Sequence, residues 1–501
     1  MENLAKIIQD LAPQAYYVGG AVRNSLLKKY STDIDIALPK QDLIAVSKAL
    51  AHKLKATAFE MDGEFGVWRI SSKNGLQIDV CAIIGKDIKQ DLKRRDFTIN
   101  AFACPVSKVR NIKIKEKSYL LVLKPKDILD LNKGVQDLKA KVIRANNNLV
   151  FKEDPLRLFR AFRTAAQLNF KITPATFALI KKYSKFSAQP AGERIQEELK
   201  KIFKEKNTAF YLKEMQEAGL FKTLLPELEK QKSCAKCYYG EGGVWAHTLL
   251  VVERMEFLLD KVSEIFKPYG KQMANIAQDK ALYKMAAFLH DIAKPATAKM
   301  MKGRLRFFYH EEKGAIMAKD FLKKLKYSND EIKMICKMIE FHLRPSNLAS
   351  NEIVTDKGIY KFFKELSFAG LPMLLLCWSD YTSYVSVVQT KALIKKAHAP
   401  VMTIEEARKK ENIGKTLRHM QMLNFLISKY FTEKQKIVLP PKLLDGKQIM
   451  EILNITPSPL VGDILEKLTL AQVEGKITDA KTAKNWLIKV IKPTLKTAVN
   501  K

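Results

Sequence analysis

The chain is poor in cysteine, histidine and tryptophan, with 6, 7 and 4 in 501 residues. Six cysteines at irregular spacing make no disulfide framework, which points to a reducing, cytoplasmic setting. Cys234 and Cys237 form a single C-x-x-C with no second pair to complete a four-ligand zinc site, so they read as loop cysteines. No apolar run reaches the roughly 18 residues that span a bilayer, and Met1-Glu2-Asn3-Leu4-Ala5-Lys6 lacks the layout of a signal peptide. No membrane partner is expected. Internal repeats and low-complexity runs are also missing. Acidic charge is scarce relative to its opposite: Asp+Glu number 53 against 87 Lys+Arg, a formal charge of +34. Scattered solvated lysines would account for part of this, but so large an excess suits a polyanion partner, most simply nucleic acid. At this length one core cannot serve the whole chain, and three or four domains are expected.

Two short motifs stand out. Tyr16-Tyr17-Val18-Gly19-Gly20-Ala21-Val22-Arg23 runs from an apolar strand into two glycines and an arginine, and ten residues on comes Asp33-Ile34-Asp35. On a strand, residues i and i+2 point the same way, so Asp33 and Asp35 aim into one site. Adjacent carboxylates repel unless a cation lies between them, and an all-oxygen ligand set favours Mg²⁺. Gly19 and Gly20 let the backbone approach a bulky anion, and turn N–H groups hold phosphates. Together the motifs imply metal-dependent phosphoryl or nucleotidyl transfer.

The surrounding residues read as mixed α/β. A helix over Leu4–Leu11 precedes the strand Ala15–Val18, a helix starting near Val22 and the strand Asp33–Ala37. Then come a helix over Asp42–Leu54 and a hairpin, Phe65–Ile70 with Leu76–Ala82, turning at Lys73-Asn74-Gly75. Asp79 is a lone acid between Ile78 and Val80. If the sheet is antiparallel there, Asp79 joins Asp33 and Asp35 as a third carboxylate able to take a proton from an attacking hydroxyl; otherwise it is a paired structural acid. Next is Lys93-Arg94-Arg95-Asp96-Phe97-Thr98-Ile99-Asn100-Ala101. Arginine forks suit a triphosphate, although a surface Arg–Asp pair is the plainer alternative.

GGAVR, DID and RRDFTINA together resemble the head of the bacterial class II tRNA nucleotidyltransferase and poly(A) polymerase family. Asp127-Ile128-Leu129-Asp130 with Gly134, Asp137-Leu138 and Ile143-Arg144 fits that family's next element, except that a second glycine usual there is missing from Lys133-Gly134-Val135. The resemblance implies an α/β, polymerase-β-like catalytic head over 1–145, followed by an all-α neck (146–235), an HD domain (236–390) and a tail (391–501). It implies Asp33 and Asp35 as Mg²⁺ ligands, with Asp79 activating the RNA 3′-hydroxyl. Gly19, Gly20, Arg23 and Arg95, with Arg94 beside them, would bind the triphosphate, and Asp96 and Asn100 would contact the ribose or a loop.

In the neck, Glu153-Asp154-Pro155-Leu156-Arg157-Leu158-Phe159-Arg160-Ala161-Phe162-Arg163 opens a helix, with Asp154 and Pro155 suited to its N-terminus. Arg157, Arg160 and Arg163 recur every three residues and share a face; without matching acids they call for an anion. The resemblance implies that this helix reads the incoming base in place of a template. Asp154 would accept from the exocyclic amine of cytosine or adenine, and Arg157 would donate to the ring acceptor beside it. Uracil and guanine would set a carbonyl against the carboxylate and be rejected. Arg160 and Arg163 would lie toward the phosphates. Gly192-Glu193-Arg194-Ile195 through Leu199 resembles the element that closes the neck. Glu60–Gly66 is the expected mobile loop for the switch from C to A addition.

Beyond the Gly-rich stretch Cys234–Gly243, His247 begins an apolar helix and His290-Asp291 ends another, with His310, His342 and Asp380 further on. Imidazole with carboxylate makes transition-metal ligand sets. This segment resembles the helical HD phosphohydrolase superfamily, which implies His247, His290, Asp291 and Asp380 as ligands of a divalent transition metal. His310 and His342 would extend the site to two metals; a vestigial scaffold is the alternative. The tail, with a charged linker at His398–Lys415, resembles the family's helical body, which holds tRNA by shape and phosphate contacts. The implied activity is template-independent addition or repair of the 3′-terminal CCA of tRNA from CTP and ATP, with release of pyrophosphate. The alternatives are a poly(A) polymerase, an enzyme adding only CC or only A, and an HD phosphohydrolase whose N-terminal half binds RNA. The oligomeric state is not legible.

Overall fold

A computed structural model describes residues 4–62, 66–72, 75 and 77–494. The apolar runs of the first 130 residues pair into one mixed seven-stranded sheet. Its strands are β1 (Tyr16–Val18), β2 (Ile34–Leu38), β3 (Thr57–Asp62), β4 (Val67–Ser71), β5 (Gln77–Ala82) and β6 (Phe102–Pro105). A side hairpin of β7 (Asn111–Lys115) and β8 (Ser118–Val122) precedes the seventh sheet strand, β9 (Leu129–Asp130). The order across the sheet is β3-β4-β5-β2-β1-β6-β9.

Strand β5 pairs antiparallel with β4, as the expected hairpin requires, but parallel with β2, in a register that sets Asp79 directly beside Asp35. The antiparallel arrangement envisaged for the carboxylates is therefore replaced by a parallel one, and the third acid arrives all the same. Period-two alternation places it there: Ile78, Val80 and Ala82 are buried under the sheet, while Gln77, Asp79 and Cys81 stay half-buried on the other face. The helix expected from Val22 begins at the glycines and spans Gly19–Leu26. Phe65, Lys73, Asn74 and Leu76 lie outside the described residues, as do residues 63–65 of the expected switch loop.

The chain divides into two compact units. One comprises residues 1–205 with 213–224, and the other residues 206–212 with 225–501. In the first, a short helix (Val150–Glu153) and the helices Arg157–Leu168 and Gly192–Lys204 follow the sheet. Among the described residues the second is helical apart from one hairpin. Its helices Gly243–Ile265 and Gly370–Thr382 carry His247 and Asp380, and His290 and Asp291 follow directly on the helix Lys280–Leu289. Asp356–Thr382 has the length and apolar character of a membrane span, but 78% of its most apolar window is buried. Ser367, at φ +51°, interrupts it, so it packs as core. The expected linker at His398–Lys415 instead contains the helix Ile404–Lys409, closed by a Thr403/Glu406 capping box, and the start of the helix Glu411–Thr432. A separate hydrophobic core runs from Leu444 to Ile491. All six cysteines are free.

Candidate active site and histidine–aspartate cluster

The carboxylates of Asp33, Asp35 and Asp79 each place an oxygen within 4.8 Å of the others. Burial, with Asp33 and Asp79 alongside, pushes the Asp35 carboxyl up to about 7, and Arg95 and Arg23 pull it only part of the way back. Such a cluster resists full ionisation until a cation shares it, so the donor set suits a divalent ion bound through oxygen. Both oxygens of Asp79 accept from Arg69 at 2.7 Å, across the β4–β5 pair. That pair fixes the carboxylate and occupies both its oxygens, which weighs against the base role expected of Asp79.

Gly19 sits at φ +65°, where a Cβ would lie 3.2 Å from Arg95 Nη1 and 3.3 Å from Asp35 Oδ2. The glycine is what lets the arginine and the acid close over the turn. Arg95 donates to Asp91 Oδ2 at 3.0 Å, and Arg94 donates to Asp91 Oδ1 at 2.7 Å. Asp91 is fully buried and also accepts the Ile84 N–H. Sequence reading missed it, although an acid three and four residues before two arginines at the end of the helix Ile88–Lys93 was the available signal. Arg23 touches only amide oxygens, those of Asn24 and Asn100. Burial, with Arg163 nearby, lowers its guanidinium to about 10. A half-buried cation with no carboxylate in hydrogen-bond contact among the described residues is a ready partner for phosphate.

On the neck, the structure supplies the acids that the arginine face was expected to lack. Arg160 donates to Asp96 Oδ2 at 2.9 and 2.7 Å, Arg163 pairs with Glu198, and Arg157 lies 3.5 Å from Glu153 and 3.8 Å from Asp154. Two of these partners lie on other elements, which is why spacing along the helix could not show them. Burial alone would raise Asp96, but Arg160 and Asn100 hold it well below the ordinary carboxylate range. It also accepts the Phe97 N–H, so its oxygens tie head to neck rather than standing free for a ribose. Asp154 Oδ1 accepts the Leu156 N–H at 3.1 Å, and its other oxygen lies 3.6 Å from Arg194. A single cleft of about 1440 Å³ takes in Gly19, Gly20, Arg23, Asp33 and Asp35 from the head and Asp154, Arg157, Arg160 and Arg163 from the neck. That exceeds the roughly 300–1,000 Å³ of a site for one small ligand and leaves room for a second substrate.

The second unit gathers the histidines around Asp291, which is fully buried. His247 Nε2 lies 3.3 Å from Asp291 and 3.2 Å from Asp380, and His290 Nε2 lies 3.2 Å from Asp291. His310 and His342 approach the other Asp291 oxygen at 3.5 and 3.9 Å. His290, His310 and His342 each turn Nδ1 to a backbone carbonyl at 2.7–2.8 Å, leaving Nε2 to face inward. The Nε2 atoms of His247, His290 and His310, and Asp380 Oδ1, are buried without a well-formed hydrogen bond. Burial lowers His342 to about 4, which keeps it a neutral imidazole. Burial works against ionised Asp380, yet the His247 imidazole 3.2 Å away and the neighbouring His290 bring it to about 2. Orphaned inward nitrogens around ionised oxygens fit a metal. Two ligand groups share Asp291, one with His247 and His290 and one with His310 and His342. Lys294 was missed by sequence reading; its Nζ sits 2.5 Å from Asp291 and donates to the Tyr239 hydroxyl at 2.7 Å.

Residues 76–144 match the family described as the poly A polymerase head domain, residues 169–232 a probable RNA and SrmB-binding site of polymerase A, and residues 244–371 the HD domain. An A-adding tRNA nucleotidyltransferase of Deinococcus radiodurans is 26% identical over 95% of both chains. A CC-adding tRNA nucleotidyltransferase of Synechocystis is 25% identical over 94% of this chain and 92% of that one. The fold is that of a CCA-adding enzyme solved in an apo form, with a TM-score of 0.60 at 21% identity over 97% of this chain and 92% of that one. With a carboxylate cluster beside a half-buried arginine and an HD domain after the neck in the chain, the sequence carries the poly A polymerase head and HD domains and is similar along nearly its whole length to tRNA nucleotidyltransferases.

Proposed function

We propose that the chain builds or repairs the 3′-terminal CCA of tRNA from CTP and ATP, releasing pyrophosphate. The observation that carries this reading is the single cleft joining the Asp33/Asp35 cluster to Asp154 and Arg157: one end suits phosphoryl chemistry and the other a base edge. In this reading Asp33 and Asp35 hold Mg²⁺, and Arg23 and Arg95 position the triphosphate. A bound Mg²⁺ would polarise the RNA 3′-hydroxyl and neutralise charge on the transferred phosphate. Asp79 completes the carboxylate cluster, with Arg69 fixing its orientation. Asp154 and Arg157 accept C and A because a mismatched base leaves buried polar groups unpaired. The net charge of +34 supplies the general attraction for tRNA, and the free cysteines suit the cytoplasm, where tRNA is found. In the HD unit, His247, His290, Asp291 and Asp380 hold a divalent transition metal, and His310 with His342 holds a second one against Asp291.

The relatives named for adding only A or only CC favour a second reading, a partial addition by the same site. The test offers CTP, ATP or both to tRNA ending before CCA, after C and after CC, and to oligo(A). Complete CCA from both nucleotides is expected. Addition confined to CC or to the last A selects the second reading, and long A tails on oligo(A) without C incorporation overturn both. In Asp154→Ala, discrimination against UTP and GTP should fall at least tenfold; unchanged rejection removes Asp154 from base reading.

A further inference from the structure

The parallel pair β10 (Val142–Ile143) and β11 (Lys171–Ile172) lies in the first unit, and among the described residues the second unit carries one hairpin, β12 (Ala298–Met301) with β13 (Arg304–Phe307). The head chemistry makes no use of it, and the histidine cluster uses its Phe307 carbonyl, leaving its basic and aromatic side chains without a role in either site. We propose that this hairpin, with Phe308 and Tyr309, is an RNA-binding flap that holds an unpaired strand beside the histidine–aspartate cluster. The proposal rests on RNA being the substrate class proposed above and adds where the HD unit grips it.

Charge is the first argument. Between Ile292 and His310 there are five basic residues and no acidic one. The register sets Lys299 opposite Arg306 and Met301 opposite Arg304, so Lys299, Arg304 and Arg306 share one face of the ribbon. All three are exposed, as is Lys302 in the turn. Like charges directly opposite one another destabilise an antiparallel pair, and a polyanion reverses that penalty. The opposite face anchors the ribbon: Leu305 and Phe307 are half-buried, the Tyr238 hydroxyl donates to the Leu305 carbonyl at 3.0 Å, and Lys294 Nζ lies 5.7 Å from the centre of the Phe307 ring.

Exposed rings separate RNA from other polyanions. Phe308 is 55% exposed, Tyr309 69% and Tyr238 53%. Rings beside phosphate-binding arginines form the usual platform for unpaired bases, whereas an acidic peptide has no use for them. Proximity to the cluster is covalent as well as spatial. The Phe307 carbonyl holds His310 Nδ1 at 2.7 Å, and Tyr309 sits at φ +60° immediately before that ligand. An aromatic residue in the left-handed region is strained, and such strain is more common at functional sites.

Hydrogen exchange of the full-length chain, with and without saturating single-stranded oligo(A) RNA, tests the flap. Protection of peptides covering 298–309 on adding RNA is expected, with none on adding anionic phosphatidylserine vesicles or polyglutamate. The Lys299→Ser/Arg304→Ser/Arg306→Ser variant should show a plot of log affinity against log salt shallower by about 2, since each single-strand phosphate contact contributes roughly 0.7. Arg304→Lys/Arg306→Lys should keep the slope. Unchanged exchange of the wild-type hairpin under RNA overturns the proposal, as do protection by vesicles or polyglutamate alone and an unchanged slope in the triple variant. CCA addition by the wild type is measured on the same preparation, so its failure is read separately from that of the flap.

Discussion

A methyl group on Gly19 would press on Arg95 and Asp35 from a backbone held at φ +65°, whereas one on Gly20 would meet Arg23 and Asp35 at ordinary contact distances of 3.6 and 3.9 Å. Gly19→Ala is therefore expected to lose about 1–2 kcal/mol and most nucleotide addition, while Gly20→Ala keeps stability within about 0.5 kcal/mol; urea midpoints and rates on one substrate tRNA compare them. Asp96 sets the pH behaviour. Its folded carboxyl lies below the unfolded value of about 3.9, so its contribution is fully present above that value and is lost as pH falls through the folded one. Asp96→Asn leaves Arg160 without its counter-charge and should cost on the order of 3 kcal/mol at pH 7. The gap between wild type and variant should narrow below about pH 4 in denaturant titrations; a constant gap would show that the pair is not what Asp96 contributes.

At the scale of elements, the helix Gly134–Ala140 shows how a departure from the family pattern is accommodated. Its N-cap residue Lys133 adopts φ +60°, the conformation for which glycine is usual, while Asp130 caps the helix through the Gly134 and Val135 N–H groups at 2.7 and 2.9 Å. Lys133→Gly should raise thermal stability by up to about 1 kcal/mol. Gly134→Ala would set a Cβ 2.3 Å from the Thr98 carbonyl oxygen and is expected to cost at least about 2 kcal/mol, seen as a lowered Tm. The same scale explains the carboxylate cluster. Parallel pairing of β2 with β5 brings Asp35 and Asp79 side by side, a result that depends on register and not on either strand alone.

Among the described residues the two compact units each carry a cluster of metal-ligating side chains, all carboxylate in the first and mainly histidine in the second, and their chemistry separates by donor type. His290→Ala should lower bound transition metal by at least half, measured by elemental analysis after dialysis, while leaving CCA addition largely intact. Asp33→Ala should do the reverse. Equal metal content in wild type and His290→Ala would mean that the cluster around Asp291 is a hydrogen-bonded scaffold. What the residue order determined by itself was whatever chain spacing controls: the i, i+2 carboxylates, the paired glycines between the first strand and its helix, the HD dipeptide at a helix end, and the mixed α/β head before helical domains. Local geometry repeats every two or 3.6 residues, so it can be read from spacing. Only the tertiary structure decided which acid meets which arginine. Asp96 and Arg160 are 64 residues apart, and Arg163 and Glu198 are 35 apart. The convergence of His310 and His342 on Asp291, the parallel register beside Asp35 and the helical linker near residue 404 were decided there as well. Those contacts follow from how buried faces pack across long stretches of chain, and no local period records that.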